Sequence, residues 1–313
     1  MRLWGLGAFS LAAACVLCGC IYVGDWGDSN AFREDFHSIR PFERGGNVSV
    51  ESFNGSIEVA GWDQNSIEVN GTKHAALRRV LEELQVDVDS KPGSIHLRVR
   101  RPDPLHNAGI RFSIRVPRKT TLELVSTSNG GIDLDGLEGN ARLHTSNGAI
   151  RARNLRGDLF VETSNGRIEA EEVSGNASLH TSNGAVRADA STGSFEASTS
   201  NGGINVRLRD TAMGSPIRLH SSNGRIELTL DSKQLPDVHA STSNSSIVVR
   251  LPASTNARVR AYTSHSPVSS EFSELQANHE RHGSRSELDG TIGKGGPLLS
   301  LETTNGPIKI LKE

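Results

Sequence analysis

One short phrase returns seven times in this chain: STSNGGIDL from Ser126, HTSNGAIRA from His144, ETSNGRIEA from Glu162, HTSNGAVRA from His180, STSNGGINV from Ser198, HSSNGRIEL from His220 and STSNSSIVV from Ser241. Asn129, Asn147, Asn165, Asn183 and Asn201 follow one another at steps of 18, and the steps to Asn223 and Asn244 are 22 and 21. Weaker copies stand at Ser52 (SFNGSIEV), Tyr262 (YTSHSPVSS) and Glu302 (ETTNGPIKI). A fixed period of this length means an array of one small unit, because self-similarity constrains topology before any local propensity does.

Each unit holds two strands and two turns. A second punctuation, Gly139-Asn140, Gly157-Asp158, Gly175-Asn176 and Gly193-Ser194, falls between the Asn-Gly turns, also at steps of 18. After the Asn-Gly turn, Ile132, Ile150, Ile168, Val186, Ile204, Ile226 and Ile247 recur with a small or apolar residue two positions on. That is the period of a strand with one buried face. Leu143, Val161, Leu179 and Ala197 hold the inward place on the other strand.

One unit cannot bury its apolar row alone. Stacking unit on unit at about 4.8 Å pairs each strand with its copies and satisfies the backbone in parallel ladders. The expected fold is therefore all-β: a parallel β-solenoid (β-helix), right-handed, with two strands per roughly 18-residue coil. The asparagine column should form an amide ladder, and the glycine after each should supply the positive φ of a tight turn. Because Asn-Gly is also a strong hairpin signal, an antiparallel hairpin array is the competing reading. Glycine at 32 residues and aromatics at 4% fit many turns around a thin core.

The start of the chain has a different logic. MRLWGLGAFSLAAACVLCGC carries one positive charge at Arg2, an apolar run from Leu3 to Leu17, and small residues before a cysteine. Leu17-Cys18-Gly19-Cys20 resembles the lipobox of bacterial lipoproteins, which implies removal of residues 1–19 and fatty acylation of Cys20. All three cysteines, Cys15, Cys18 and Cys20, lie in this segment, so the body has no disulfide. The resemblance implies anchoring to the cell envelope and, in a two-membraned cell, sorting to the outer membrane, since Ile21 rather than Asp follows the cysteine.

Residues 20–46 then read as a lipidated tether and 47–313 as the repeat domain, with regular coils over about 121–250. His74–Gln85 breaks the strand pattern, and Leu77, Val80, Leu81 and Leu84 at helical spacing predict a short capping helix. Such a cap covers the open edge of a terminal coil. Glu271–Gly296 reads as a polar loop before a last strand at Pro307–Leu311.

SFNGSIEVAGWD from Ser52, RFSIRVPRKTTLELVSTSNGGIDL from Arg111 and the TSNG series together resemble a bacterial candidate-adhesin family of β-strand repeat domains. The resemblance spans about Asn47 to Lys312 and implies a surface-presenting protein of this fold.

Chemistry can be sought on the outward columns. Asp133, Arg151, Glu169, Arg187, Asn205 and Glu227 alternate in charge through the first four, which favours cross-strand pairing and disperses the carboxylates that a hydrolase needs close together. Asp133 and Asp135 are the nearest approach to a carboxylate pair. The column Ser126, His144, Glu162, His180, Ser198, His220 offers a His144, Glu162, His180 set to a divalent metal, but two coils separate the histidines by about 9.6 Å. Arg156-Gly157-Asp158 spells an integrin-binding tripeptide, yet it occupies an ordinary turn of the repeat.

No phosphate loop, nucleophile elbow or zinc-protease motif is present. With 34 Lys and Arg against 36 Asp and Glu, the charge of -2 supplies no field for nucleic acid. The sequence thus reads as a non-enzymatic envelope lipoprotein that needs no cofactor and adheres or binds through its surface, to the membrane by its lipid and to glycans or envelope proteins. The alternative is a β-helix lyase or hydrolase acting on polysaccharide.

Overall fold

The computed structural model describes residues 21–23, 32–100, 107–191, 193–211, 214–232, 235–275, 278–279 and 285–313. Residues 1–19 and Cys20 lie outside them. Among the described residues the strands form two sheets of 14.

The repeat dictates the pairing. In the first sheet Ile132, Ile150, Ile168, Val186, Ile204, Ile226 and Ile247 lie side by side in parallel strands, one from each unit. The second sheet aligns Leu143, Val161, Leu179, Ala197, Leu219 and Ala240 in the same way. None of these side chains is more than 1% exposed. Successive copies therefore stack as rungs, each giving one strand to each sheet, and the apolar rows meet between the sheets. The parallel registers exclude the hairpin array for this part of the chain. Alanine at 152, 170 and 188, all buried, keeps the two sheets close with few aromatics between them.

The Asn-Gly corner is tighter than the sequence suggests. Asn54, Asn129, Asn147, Asn165, Asn183, Asn201, Asn223, Asn244 and Asn305 form a ladder in which each Nδ2 donates to the preceding Oδ1 at 2.6 to 2.8 Å. Beneath it runs a buried hydroxyl column. Thr181 Oγ1 donates to the Gly166 carbonyl at 3.0 Å and accepts from the Gly184 N–H at 3.1 Å, so a hydroxyl buried at the corner is satisfied on both sides.

The glycine beside it is needed for a reason other than the expected one. Of the Asn-Gly glycines only Gly55 has a left-handed φ, at 116°. At Gly148 and Gly166, a Cβ would collide with the carbonyl oxygen of the glycine one rung before. Close stacking of backbones, not turn conformation, fixes this residue.

Both ends depart from sequence order. The rung built from Asn47–Glu51 and Ile57–Trp62 lies between that of Ser94–Arg100 and Ala108–Pro117 and that of Thr121–Thr127 and Ile132–Glu138. At the other end Leu298–Thr303 and Ile308–Lys312 slot between the rungs of Val238–Thr242 with Ile247–Leu251 and of Ala257–Thr263 with Val268–Ser270. The first and last repeat-like rungs of the chain are thus each held on two sides.

Antiparallel strands finish the ends. Phe32–Pro41, inside the segment read as a tether, pairs along its whole length with Ser66–Ala75. Its half-buried and exposed residues alternate strictly, a pattern obscured because charged Glu34 and Arg40 occupy the inward side. Ser286–Ile292, inside the expected loop, pairs with Ala257–Thr263. The helix is shorter than its spacing predicts, Arg78–Glu83, because His74 and Ala75 are already committed to strand pairing on both sides. Val80 and Leu81 are buried against Ala75 and Ala108, whereas Leu77 is 43% exposed.

Candidate binding surface

Along the regular rungs the inward rows are buried, so chemistry there is confined to the outer faces and the corners. On the first sheet Asp133, Arg151 and Glu169 stand in cross-rung register. Arg151 bridges them, 3.6 Å from Asp133 and 2.8 Å from Glu169, and Arg167 reaches Glu169 at 3.2 Å. Burial works to raise the Glu169 carboxyl, but hydrogen bonds and charge from Arg151 and Arg167 outweigh it and hold the group below its ordinary value. The same bond from Glu169 raises Arg151.

Asp135, two residues from Asp133 on one strand face, accepts instead from Asn154 Nδ2 at 2.7 Å. Farther along, Arg209 reaches Asp189 and Glu172, each at 2.7 Å. These carboxylates are each committed to a cation or an amide, and Glu169 is kept ionised, which makes it a poor general acid near neutral pH.

The histidine column of the second sheet is likewise held by its neighbours. His144 and Glu162 approach to 3.8 Å, but both ring nitrogens of His180 are engaged by hydroxyls, Ser178 at 2.7 Å and Ser198 at 2.6 Å. His220 engages Ser241 through Nδ1 at 2.9 Å. The column is a cross-rung hydrogen-bond ladder. Among the described residues, no group of three or more His, Cys, Asp and Glu side chains is placed to hold a metal ion.

In the tripeptide at 156–158, Arg156 pairs with Glu138 at 3.2 Å, and Asp158 accepts from the N–H and the side-chain amide of Asn176 at 2.9 and 3.0 Å. Both charged members serve the stacking of the second corner. The other predicted site residue, Cys20, lies outside the described residues.

A groove that the sequence reading passed over runs along the stack at this second corner. One wall is the turn column Asn140, Asp158, Asn176 and Ser194; the other is the outward row Arg142, Phe160, Ser178, Glu196 and Arg218. Its volume is about 410 Å³. Phe160 is half-buried at an outward position, with the Arg142 guanidinium 4.7 Å above its ring and the His180 ring 6.0 Å away. The signal was in the alignment of copies: the equivalent positions carry Arg142, Ser178 and Glu196, so an aromatic there is out of pattern.

The profile of the family described as Toastrack DUF4097 matches residues 46–311. No curated protein matches the chain. Among solved structures, similarity is found to a candidate cell-adhesion protein of Clostridium sporogenes ATCC 15579, at 11% identity over 88% of this chain and 99% of that one, with a TM-score of 0.22. A candidate adhesin of Bacteroides fragilis NCTC 9343 matches at 12% identity over 89% and 97%, TM-score 0.39. One of Parabacteroides distasonis ATCC 8503 matches at 9% identity over 89% and 97%, TM-score 0.29.

Proposed function

The chain belongs to the Toastrack DUF4097 family, and we propose that it is a non-catalytic envelope lipoprotein whose repeat body is a rigid parallel β-solenoid used for binding. In this reading residues 1–19 are removed, Cys20 is acylated next to Ile21–Val23, which pairs antiparallel with Phe32–Glu34, and the coil is right-handed as parallel crossovers are. The partner is another envelope component, a glycan or a protein, and the lipid places the body on the outer membrane where the cell has two.

One observation carries the binding reading. Where outward carboxylates adjoin across rungs, as Glu58 with Asp133 and Glu171 with Asp189, a cation reaches one member of each pair, Arg151 at Asp133 and Arg209 at Asp189, and Asp135 is bonded to the Asn154 amide. Acid–base cleavage of a polysaccharide needs two carboxyl groups facing one bond with separated protonation states. A surface of fixed, mutually satisfied polar groups is suited instead to presenting a set arrangement of hydrogen-bonding groups to a partner.

Two experiments test this. Cells fed a fatty-acid analogue should label the wild type and not Cys20→Ser; equal label in both would remove the anchor. The purified full chain should retain material from an envelope fraction and leave a panel of polysaccharides uncleaved. Turnover that disappears in Asp133→Asn or Glu169→Gln would replace binding with hydrolysis or elimination.

A further inference from the structure

We propose that the groove beside Phe160 is a binding site for a linear, uncharged polysaccharide lying along the stack, an assignment that rests on the binding reading above and gives it a place and a ligand class. Shape comes first. The groove takes in successive rungs from Leu122 to Arg218, five steps of about 4.8 Å each or roughly 24 Å in all. From Arg142 to Arg218 its outward residues follow one another in parallel cross-rung register. A groove extended along the stack matches an extended ligand, and a chain of pyranose rings offers a similar polar edge at each step.

The wall chemistry selects sugar. Phe160 is held by the Arg142 guanidinium 4.7 Å over its ring and by the His180 ring 6.0 Å away, while its direct cross-rung partner is the small Ser178. The ring is half-buried, and the part of it that lines the groove is apolar surface against which the C–H face of a pyranose can pack. Planar amide, carboxylate and guanidinium groups flank it. Asn140 spends Oδ1 on the Asp158 N–H at 2.9 Å, which leaves its two amide donors directed to solvent. Arg218 and Glu196 add a guanidinium fork and a carboxylate, the groups that bond pairs of adjacent hydroxyls.

Charge decides between classes of glycan. Arg142 and Arg218 face Glu123, Asp158 and Glu196 in the same groove, so the cations are matched by anions and nothing favours a polyanion. A polyuronate or a nucleic acid would meet three carboxylates, whereas a neutral chain meets hydrogen-bonding partners only. Pairing with an acidic or basic peptide is disfavoured on the same ground.

Affinity electrophoresis and calorimetry of the full-length protein with a soluble β-glucan, dextran and polygalacturonate test the assignment. At least one neutral polymer should bind and polygalacturonate should not. Phe160→Ala should weaken binding at least tenfold, Phe160→Trp should keep it, and Arg78→Ala on the short helix, where Arg78 pairs with Glu82, should leave it unchanged, with thermal unfolding of each variant confirming an intact body. Preference for polygalacturonate, or equal affinity in Phe160→Ala, overturns the site. If neither neutral polymer binds while an envelope fraction is still retained, the glycan assignment fails and the binding reading stands. If neither is retained, both fail together.

Discussion

The two corners of each rung do different work. At the Asn-Gly corner the asparagine ladder runs from Asn54 to Asn305 through rungs that are neighbours in sequence and through rungs that are not, with intervals of 75 residues from Asn54 to Asn129 and 61 from Asn244 to Asn305. At the opposite corner Gly139, Gly157, Gly175 and Gly193 keep the 18-residue step only through four rungs. The extra residues behind the 22- and 21-residue steps fall there, between Arg209 and Ile217 and between Asp231 and Val238, because the strands on either side stay in register. One corner is a spine that keeps its length through every rung of the asparagine ladder. The other absorbs insertions and borders the Phe160 groove, so variation and binding chemistry share a side.

The largest effect should come from methylating the spine. Gly166→Ala puts a Cβ into the Gly148 carbonyl, where backbone on both sides prevents relief, and should cost about 3 kcal/mol or more in urea denaturation. At the other corner Gly157 and Gly175 also meet the backbone of the preceding rung, but the close backbone stack ends before Gly193, where Gly193→Ala meets first the Asn176 side-chain oxygen, which can shift, and should cost about 1 kcal/mol or less. Similar losses would erase the distinction.

Next come the amides. Asn165→Ala removes one ladder bond given to Asn147 and one taken from Asn183, about 1 to 2 kcal/mol at the net value of such bonds. Asn140→Ala removes a single bond from the Asp158 N–H and should cost about half as much, readable as the difference in denaturation midpoints.

The smallest effect lies on the face between the corners. Glu169 has its folded-state value depressed below the ordinary 4.5, so its contribution is fully present above that pH and fades as pH falls through the depressed value. The pair is 46% and 23% exposed, and solvent screening limits it to a few tenths to about 1 kcal/mol. Glu169→Gln should remove that part of the acid-induced loss of stability, measured as unfolding midpoints between about pH 5 and pH 3.

Much of this was legible because the repeat samples the same environment many times. Ile150 and Ile168 fall inward at every copy, and the asparagine spacing alone predicted the ladder. The threonine's role was hidden because a hydroxyl turned inward looks in sequence like any turn residue. The glycine was read correctly as necessary and wrongly as left-handed, since a steric demand from the next rung leaves the same letter as a demand from φ.

Rung order at the ends was not legible at all. The copies at Ser52 and Glu302 match the pattern, but nothing local says that 94–117 will close outside one and 257–270 outside the other. Phe160 was visible as an exception in its column and gained meaning only once Asn140 and Asn176 were seen to form the opposite wall.

The most direct test of the spine is a pair of insertions read by thermal unfolding of the full chain. A Gly-Ser-Gly-Ser segment placed between Gly193 and Ser194, where longer natural turns begin one rung later, should lower the melting temperature by only a few degrees, equivalent to about 1 kcal/mol. The same segment between Asn183 and Gly184 breaks the ladder and the glycine stack at once, and should lower it by more than about 10 °C or abolish the transition. Equal shifts from the two insertions would contradict the assignment of the Asn-Gly corner as the spine of the fold.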